Sequence, residues 1–207
     1  MSLFNPKHRN ALHSRITIAL YRITQAIDSL FRERGRLMGL SPAQIQSLLF
    51  LKYARPGVRT IGGLTDRLGV TYATSSDVVN ALEAKRLIKR IRSREDQRVV
   101  ALRLTPKGEE KVGMLEDVLD EIEAAVNALP EAEQTTLLRA TQAIVLRLQR
   151  AGYVKVYDMC WNCQFFQKDA HPDNPHGPHH CAFVDAPLSE ANSYLECPDF
   201  VPVETLE

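Results

Sequence analysis

All the cysteines of this 207-residue chain fall between residues 160 and 197, while its basic residues crowd the first half. Residues 1–104 hold 19 Lys/Arg against 7 Asp/Glu, residues 105–150 hold 5 against 9, and residues 151–207 hold 2 against 9. A chain partitioned in this way is expected to fold as two unlike parts, a domain over 1–150 and a cysteine-rich tail over 151–207. The length also fits one domain plus an appendage. A composition of 44% hydrophobic and 25% charged residues is that of a soluble globular protein. There is no run of about 18 apolar residues, so no membrane span is expected. The N-terminal MSLFNPKHRNALHSR has neither the apolar stretch nor the cleavage site of a secretory signal. The expected location is the cytoplasm.

The hydrophobic periodicity is mostly helical. Leu12, Ile16, Leu20, Ile23, Ile27, Leu30 and Phe31 place a helix over 10–34, with Gly35 and Gly39 expected to interrupt it. Ser41-Pro42 opens a second helix as N-cap and first-turn proline. Residues 60–68 form a short amphipathic helix on Ile61, Leu64 and Leu68. Gly69-Val70-Thr71 turns the chain into a third, from Ala73 to about Lys85. Leu87-Ile88 and Val99–Leu102 read as two strands joined by a polar loop at 93–97. Thr105-Pro106 opens a helix expected to run unbroken to about Ala128, Leu129-Pro130 stops it, and a last helix covers 131–150.

Helix, short turn and helix over 60–85 is the helix-turn-helix arrangement, whose second helix lies in a DNA major groove. Thr71, Tyr72, Thr74, Ser75 and Ser76 stand at the start of that helix, where short hydroxyls and free backbone N–H groups suit phosphates and base edges. The hairpin that follows carries Lys85, Arg86, Lys89, Arg90, Arg92, Arg94, Arg98 and Arg103, opposed only by Glu95 and Asp96. A solvated charged hairpin would have a similar composition. Its place directly after the helix-turn-helix favours a wing that tracks the DNA backbone and sets an arginine in the minor groove.

Residues 41–108 resemble the MarR family of winged-helix regulators. The resemblance rests on SPAQIQSLLFL, IGGLTDRLGVTYATSSDVVNALEAKRLIKR and RSREDQRVVALRLTPKGEE. It includes the wing signature Asp96-Gln97-Arg98, followed by Leu104-Thr105-Pro106-Lys107-Gly108. It extends through the flanking helices over roughly 10–150. It implies a mainly α winged helix-turn-helix with long dimerisation helices. It also implies a homodimer on a pseudo-palindromic double-stranded operator, usually acting as a repressor. By that match Arg98 enters the minor groove and Asp96 orients it. Two positions depart from the family: Asp77 stands where a basic residue is frequent, and Arg86 where a glycine is. The dimer has a physical reason too. Val112, Leu115, Val118, Leu119, Ile122 and Val126 form one apolar stripe, and Leu137, Leu138, Ile144, Val145 and Leu148 another. A second subunit is expected to bury both.

The tail reads Cys160-x2-Cys163-x17-Cys181-x15-Cys197. In a reducing compartment this pattern argues for a metal or cluster rather than disulfides. Zinc is the default for four thiolates, although zinc ribbons usually carry two CxxC pairs. Cys160-Trp161-Asn162-Cys163-Gln164-Phe165, Cys181-Ala182-Phe183 and the spacing of the lone thiolates resemble high-potential iron–sulfur proteins. That resemblance implies a 4Fe–4S cluster on Cys160, Cys163, Cys181 and Cys197, inside a shell of Trp161, Phe165, Phe166, Phe183, Tyr194 and Phe200. Zinc on the same cysteines stays open. HPDNPHGPHH, with His171, His176, His179 and His180, reads as an exposed loop, and four cysteines leave no need for a histidine ligand. No nucleophile, base and oxyanion arrangement is present, so an enzyme is not expected.

These readings converge on a DNA-binding regulator, responsive to redox state or iron through its tail. The tail follows the last helix directly, so ordering it is expected to set the angle between the two winged helices of a dimer. Two rivals stay open. In one, a small aromatic ligand is sensed while a zinc tail is structural. In the other, an electron carrier or interaction protein reuses the winged-helix frame.

Overall fold

The protein is described by a computed structural model over residues 4–8, 10–92, 100–154, 160–193, 197, 199–201 and 203. Arg94, Asp96 and Arg98 of the wing loop, and Tyr194 of the tail, lie outside the described residues.

Helix α1 spans Leu12–Met38 and runs through Gly35, where an interruption was expected. Gly35 is needed there for space rather than as a stop. A β-carbon on it would stand 2.3 Å from the Leu40 carbonyl oxygen, because the chain folds straight back over the helix. The stop is Gly39, left-handed at φ 66°. Helix α2, Pro42–Tyr53, begins with a capping box in which Ser41 and Gln44 each satisfy the other's backbone N–H. Thr60 caps α3, Ile61–Leu68, and left-handed Gly69 ends it. Thr71 caps α4, Tyr72–Ala84. Arg86 then takes a left-handed φ of 59°, which explains why a glycine suits that position. Strands β1, Ile88–Arg92, and β2, Val100–Leu104, pair antiparallel with Arg90 opposite Leu102.

The expected single helix over 105–128 is two. Helix α5 covers Pro106–Gly113 and α6 covers Asp120–Asn127, with turns between them. Leu115 N–H bonds to the Val112 carbonyl and Val118 N–H to that of Leu115, a three-residue spacing. That tightening points Val112, Leu115 and Val118 together into the winged-helix core, where all three are buried. The half of the stripe assigned to a partner subunit is therefore used within the chain. The core is otherwise built on Ile45, Leu48, Leu51, Leu64, Val79, Leu82, Ile88 and Leu102.

Helix α7, Glu131–Arg150, buries no residue, and neither does α6. Ile16 and Ile23 of α1, Leu119, Val126 of α6, and Leu137, Leu138, Ile144 and Leu148 of α7 are exposed. No helix among the described residues is long and apolar enough to cross a membrane.

The tail is a small antiparallel sheet in the order β3-β4-β5, with β3 at Phe166–Gln167, β4 at His179–Cys181 and β5 at Ala186–Leu188. A short helix α8, Glu190–Ser193, follows. The histidine run is only partly the exposed loop expected. His176 is exposed, whereas His179 and His180 form β4 and His179 is 1% exposed.

Candidate functional site

The start of α4 presents Thr71, Tyr72 and Thr74 to solvent, with Tyr72 61% exposed. The Thr71 hydroxyl caps the helix by accepting from Thr74 N–H at 3.2 Å and lies 2.9 Å from the Thr74 hydroxyl. Ser76 is half-buried. Ser75 is a correction, being completely buried rather than on the outer face. It shares the inward stripe of Val79 and Leu82, at i, i+4 and i+7. Its hydroxyl has no hydrogen-bond partner among the described residues.

The wing's charge divides in the same way. Lys89, Arg92 and Arg103 are exposed on the two strands. Arg90 is drawn back to α4, where it pairs with Glu83 and donates to Asn80 Oδ1 at 2.7 Å. Lys85 donates to the Gly39 carbonyl at 2.7 Å and to Gln44 Oε1 at 2.8 Å, tying α4 to the start of α2. Sequence alone does not separate these structural cations from the outward ones.

The four cysteines come together. All are free and buried, and all line one cavity with Arg55, Phe165, Phe166, Phe183, Val184, Asp199 and Phe200. The sequence brings them there in three pieces. A 3₁₀ turn at Cys160–Asn162 carries the first pair, and Cys163 N–H bonds back to the Cys160 carbonyl at 2.8 Å. Strand β4 ends on Cys181, and Cys197 follows α8. Burial pushes the Cys160 thiol above the ordinary thiol range, and the nearby Arg55 cation opposes it. Burial raises Cys197 likewise, against a backbone hydrogen bond at Asp199 and the same arginine. Four converging thiols are the donor set of either a tetrahedral zinc or a cubane iron–sulfur group. Among the described residues, no group of three or more His, Cys, Asp or Glu side chains closes up as a single-ion site.

Of the expected aromatic shell, Phe165, Phe166, Phe183 and Phe200 line the cavity. Trp161 does not. Its ring packs on Phe166 and His179, and its indole N–H donates to Ser193 Oγ at 2.9 Å. The histidines also stay outside the cavity. His179 Nε2 meets Glu190 Oε2 at 2.6 Å while its Nδ1 accepts from Asp169 N–H at 3.1 Å, so the ring bolts β4 to α8 and to the loop after β3. His180 Nδ1 meets His171 Nε2 at 3.1 Å. The residue that sequence reading missed is Arg55. It sits in the Ala54-Arg55-Pro56-Gly57 bend after α2, and nothing in that motif marks it as a neighbour of cysteines more than a hundred positions away.

Residues 38–99, which hold the helix-turn-helix and the first wing strand, match the MarR family model. Over that stretch the chain is similar to the winged helices of the MarR family. The chain is 31% identical over 105 residues to the HTH-type transcriptional repressor MdtR of Bacillus subtilis, covering 51% of this chain and 66% of that repressor. The match thus stops just short of two thirds of the relative's length. MepR of S. aureus, solved as a DNA complex, superposes with a TM-score of 0.57 at 22% identity, over 64% of this chain and 97% of MepR. The transcriptional regulator BldR of Sulfolobus solfataricus superposes with a TM-score of 0.51 at 26% identity, over 64% and 94%. At these identities the superpositions establish the winged-helix architecture.

Proposed function

We propose that this protein is a homodimeric, DNA-binding transcriptional regulator, acting as a repressor, whose grip on its operator depends on an iron–sulfur cluster held by Cys160, Cys163, Cys181 and Cys197. The observation that carries the DNA-binding part is the joint outward display of Thr71, Tyr72 and Thr74 on α4 and of Lys89, Arg92 and Arg103 on the wing. A helix start that satisfies phosphates, beside a basic ribbon, is the footprint of a duplex. Arg94, Asp96 and Arg98 of the wing tip complete the proposed contact set. The names of MdtR and of the MepR–DNA complex support the same reading. The exposed apolar faces of α1, α6 and α7 are the proposed dimer interface.

The cluster is preferred over zinc for the chemistry of the wall around the four thiols. Apart from Arg55, Val184 and Asp199 that wall is phenylalanine, the aromatic setting that the resemblance to high-potential iron–sulfur proteins implies. When bound, the cluster supplies a reversible one-electron change. The four cysteines would hold it, and Arg55 sets a cation beside two of them. The alternative of an aromatic-acid effector has a cleft available between α1 and the 114–121 segment. That cleft presents Glu33, Asp117, Asp120 and Glu121, and its one guanidinium, Arg34, is already paired with Asp117 at 2.7 Å. Such a lining repels an anion.

The test is twofold. Selection from a random duplex pool should return one pseudo-palindromic sequence, and iron with matching sulfide should be found in protein purified without oxygen. Binding that shows no sequence preference removes the regulator reading. One zinc and no iron per chain removes the cluster.

A further inference from the structure

We infer that Arg55 is the mechanical link between the four-cysteine centre and the wing, so that occupancy of the centre is read in the middle of β2. The inference rests on the four-cysteine reading above but not on which metal occupies it. Arg55 belongs to the winged helix, and its side chain leaves that domain for the tail. Nη1 donates to Cys197 Sγ and Nη2 to Cys160 Sγ, each at 3.5 Å, and Nη2 also donates to the Asn192 carbonyl at 3.2 Å. One guanidinium thus touches the first and last cysteines of the pattern and the end of α8.

The backbone behind Arg55 runs directly to the wing. The Arg55 carbonyl accepts from Val58 N–H at 3.2 Å, and the Arg59 carbonyl accepts from Leu102 N–H, in the middle of β2, at 2.6 Å. The Arg59 side chain closes the bend by donating to the Ala54 carbonyl at 2.7 Å and the Lys52 carbonyl at 3.2 Å. Helix α3 is clamped to the same bend, since a β-carbon on Gly63 would stand 1.9 Å from the Val58 carbonyl oxygen. The 54–60 bend therefore has little freedom of its own. A pull on Arg55 moves α3 and the middle of β2 together, and these are the first helix of the helix-turn-helix and the second strand of the wing.

The pull has a physical source. Four thiolates around a divalent zinc, or around a cubane, leave net negative charge on the sulfurs. A guanidinium bonded to two of them is then held by charge-assisted hydrogen bonds in a mostly apolar wall. Without an occupant the thiolate charge is lost and the hold weakens to hydrogen bonds on neutral acceptors. The two states thus differ in how tightly they hold Arg55, which is the differential contact that any coupling between sites requires. This route acts within one chain, unlike the expectation that the tail sets the angle between two subunits.

The experiment compares loaded and chelator-stripped full-length protein, reading hydrogen exchange at the Leu102 amide and metal content per chain. In the native sequence, stripping should speed exchange at Leu102 by about tenfold, a coupling of ordinary size. Arg55→Gln, which keeps a donor but loses the charge, should still load metal and should show a difference below about twofold. Arg55→Lys should restore a difference between these values. If Arg55→Gln loads fully and keeps the native difference, Arg55 is not the link, although the four-cysteine centre stands. If Arg55→Gln fails to load, Arg55→Lys decides, and a loaded lysine variant with no occupancy response overturns the inference. Native protein that holds no metal or cluster overturns the centre itself, and the inference with it.

Discussion

The winged helix and the tail are stabilised in different ways. The first has one continuous apolar core of sixteen buried residues, from Phe31 to Val118, contributed by α1, α2, α3, α4, both wing strands, α5 and the turns after it. In the tail the buried side chains among the described residues are the four cysteines, His179, Leu188 and Ser193. A segment of that size cannot offset its conformational entropy with so little apolar burial. Its cohesion comes from the His179 hydrogen bonds and, on the proposed reading, from the group that the thiols hold. The contrast teaches where sensitivity lies. The domain proposed to meet DNA is robust, and the part beside it has, on the proposed reading, a stability conditional on its occupant, which is what a sensing element requires.

The largest way to break this contrast is to remove the occupant. Stripping metal with a chelator, or Cys181→Ser, should abolish amide protection across 160–193 while residues 45–92 and 100–118 keep theirs. Metal binding supplies about 10 kcal/mol in small thiolate sites. A tail that stays protected when empty would mean its sheet suffices alone. Next comes Leu48→Ala, which opens a cavity in the core and should cost about 3 kcal/mol of global stability by denaturant titration, with metal content per chain unchanged. A smaller effect is expected from His179→Ala. It removes the Glu190 and Asp169 partners and the contact with Trp161 and Phe166, at about 2 kcal/mol, felt in the tail's exchange rates and not in the winged helix. Ser75→Ala should be the mildest. It deletes a buried hydroxyl without a partner, so it should raise stability by about 1 kcal/mol and leave DNA affinity unchanged. A loss of affinity there would restore Ser75 to the contact surface.

The winged helix was largely legible in the sequence because its signals are local. Ser41-Pro42 and Thr105-Pro106 each mark a helix start by a side chain that bonds its own backbone, and both the serine and the threonine serve as N-caps in the structure, as do Thr60 and Thr71. Where reading failed, a tertiary contact overrode the local cue. Gly35 breaks nothing because its missing side chain makes room for Leu40, and Val112, Leu115 and Val118 turn inward because a tight turn re-aims them. Ser75 resembled its outward neighbours in chemistry and differed only in helical phase. The cysteine set could be read from its spacing, and the phenylalanines of its wall from the resemblance to high-potential iron–sulfur proteins. Arg55 could not, since its role depends on how two regions dock, and no local pattern records that.

The most direct test of the account is the dissociation constant of a selected operator duplex for loaded and for stripped protein, at one fixed salt concentration because phosphate contacts make affinity salt-dependent. The account predicts a change of about tenfold or more between the two forms. Equal affinities, in a protein shown to gain and lose its metal, would contradict it and leave the tail a structural appendage.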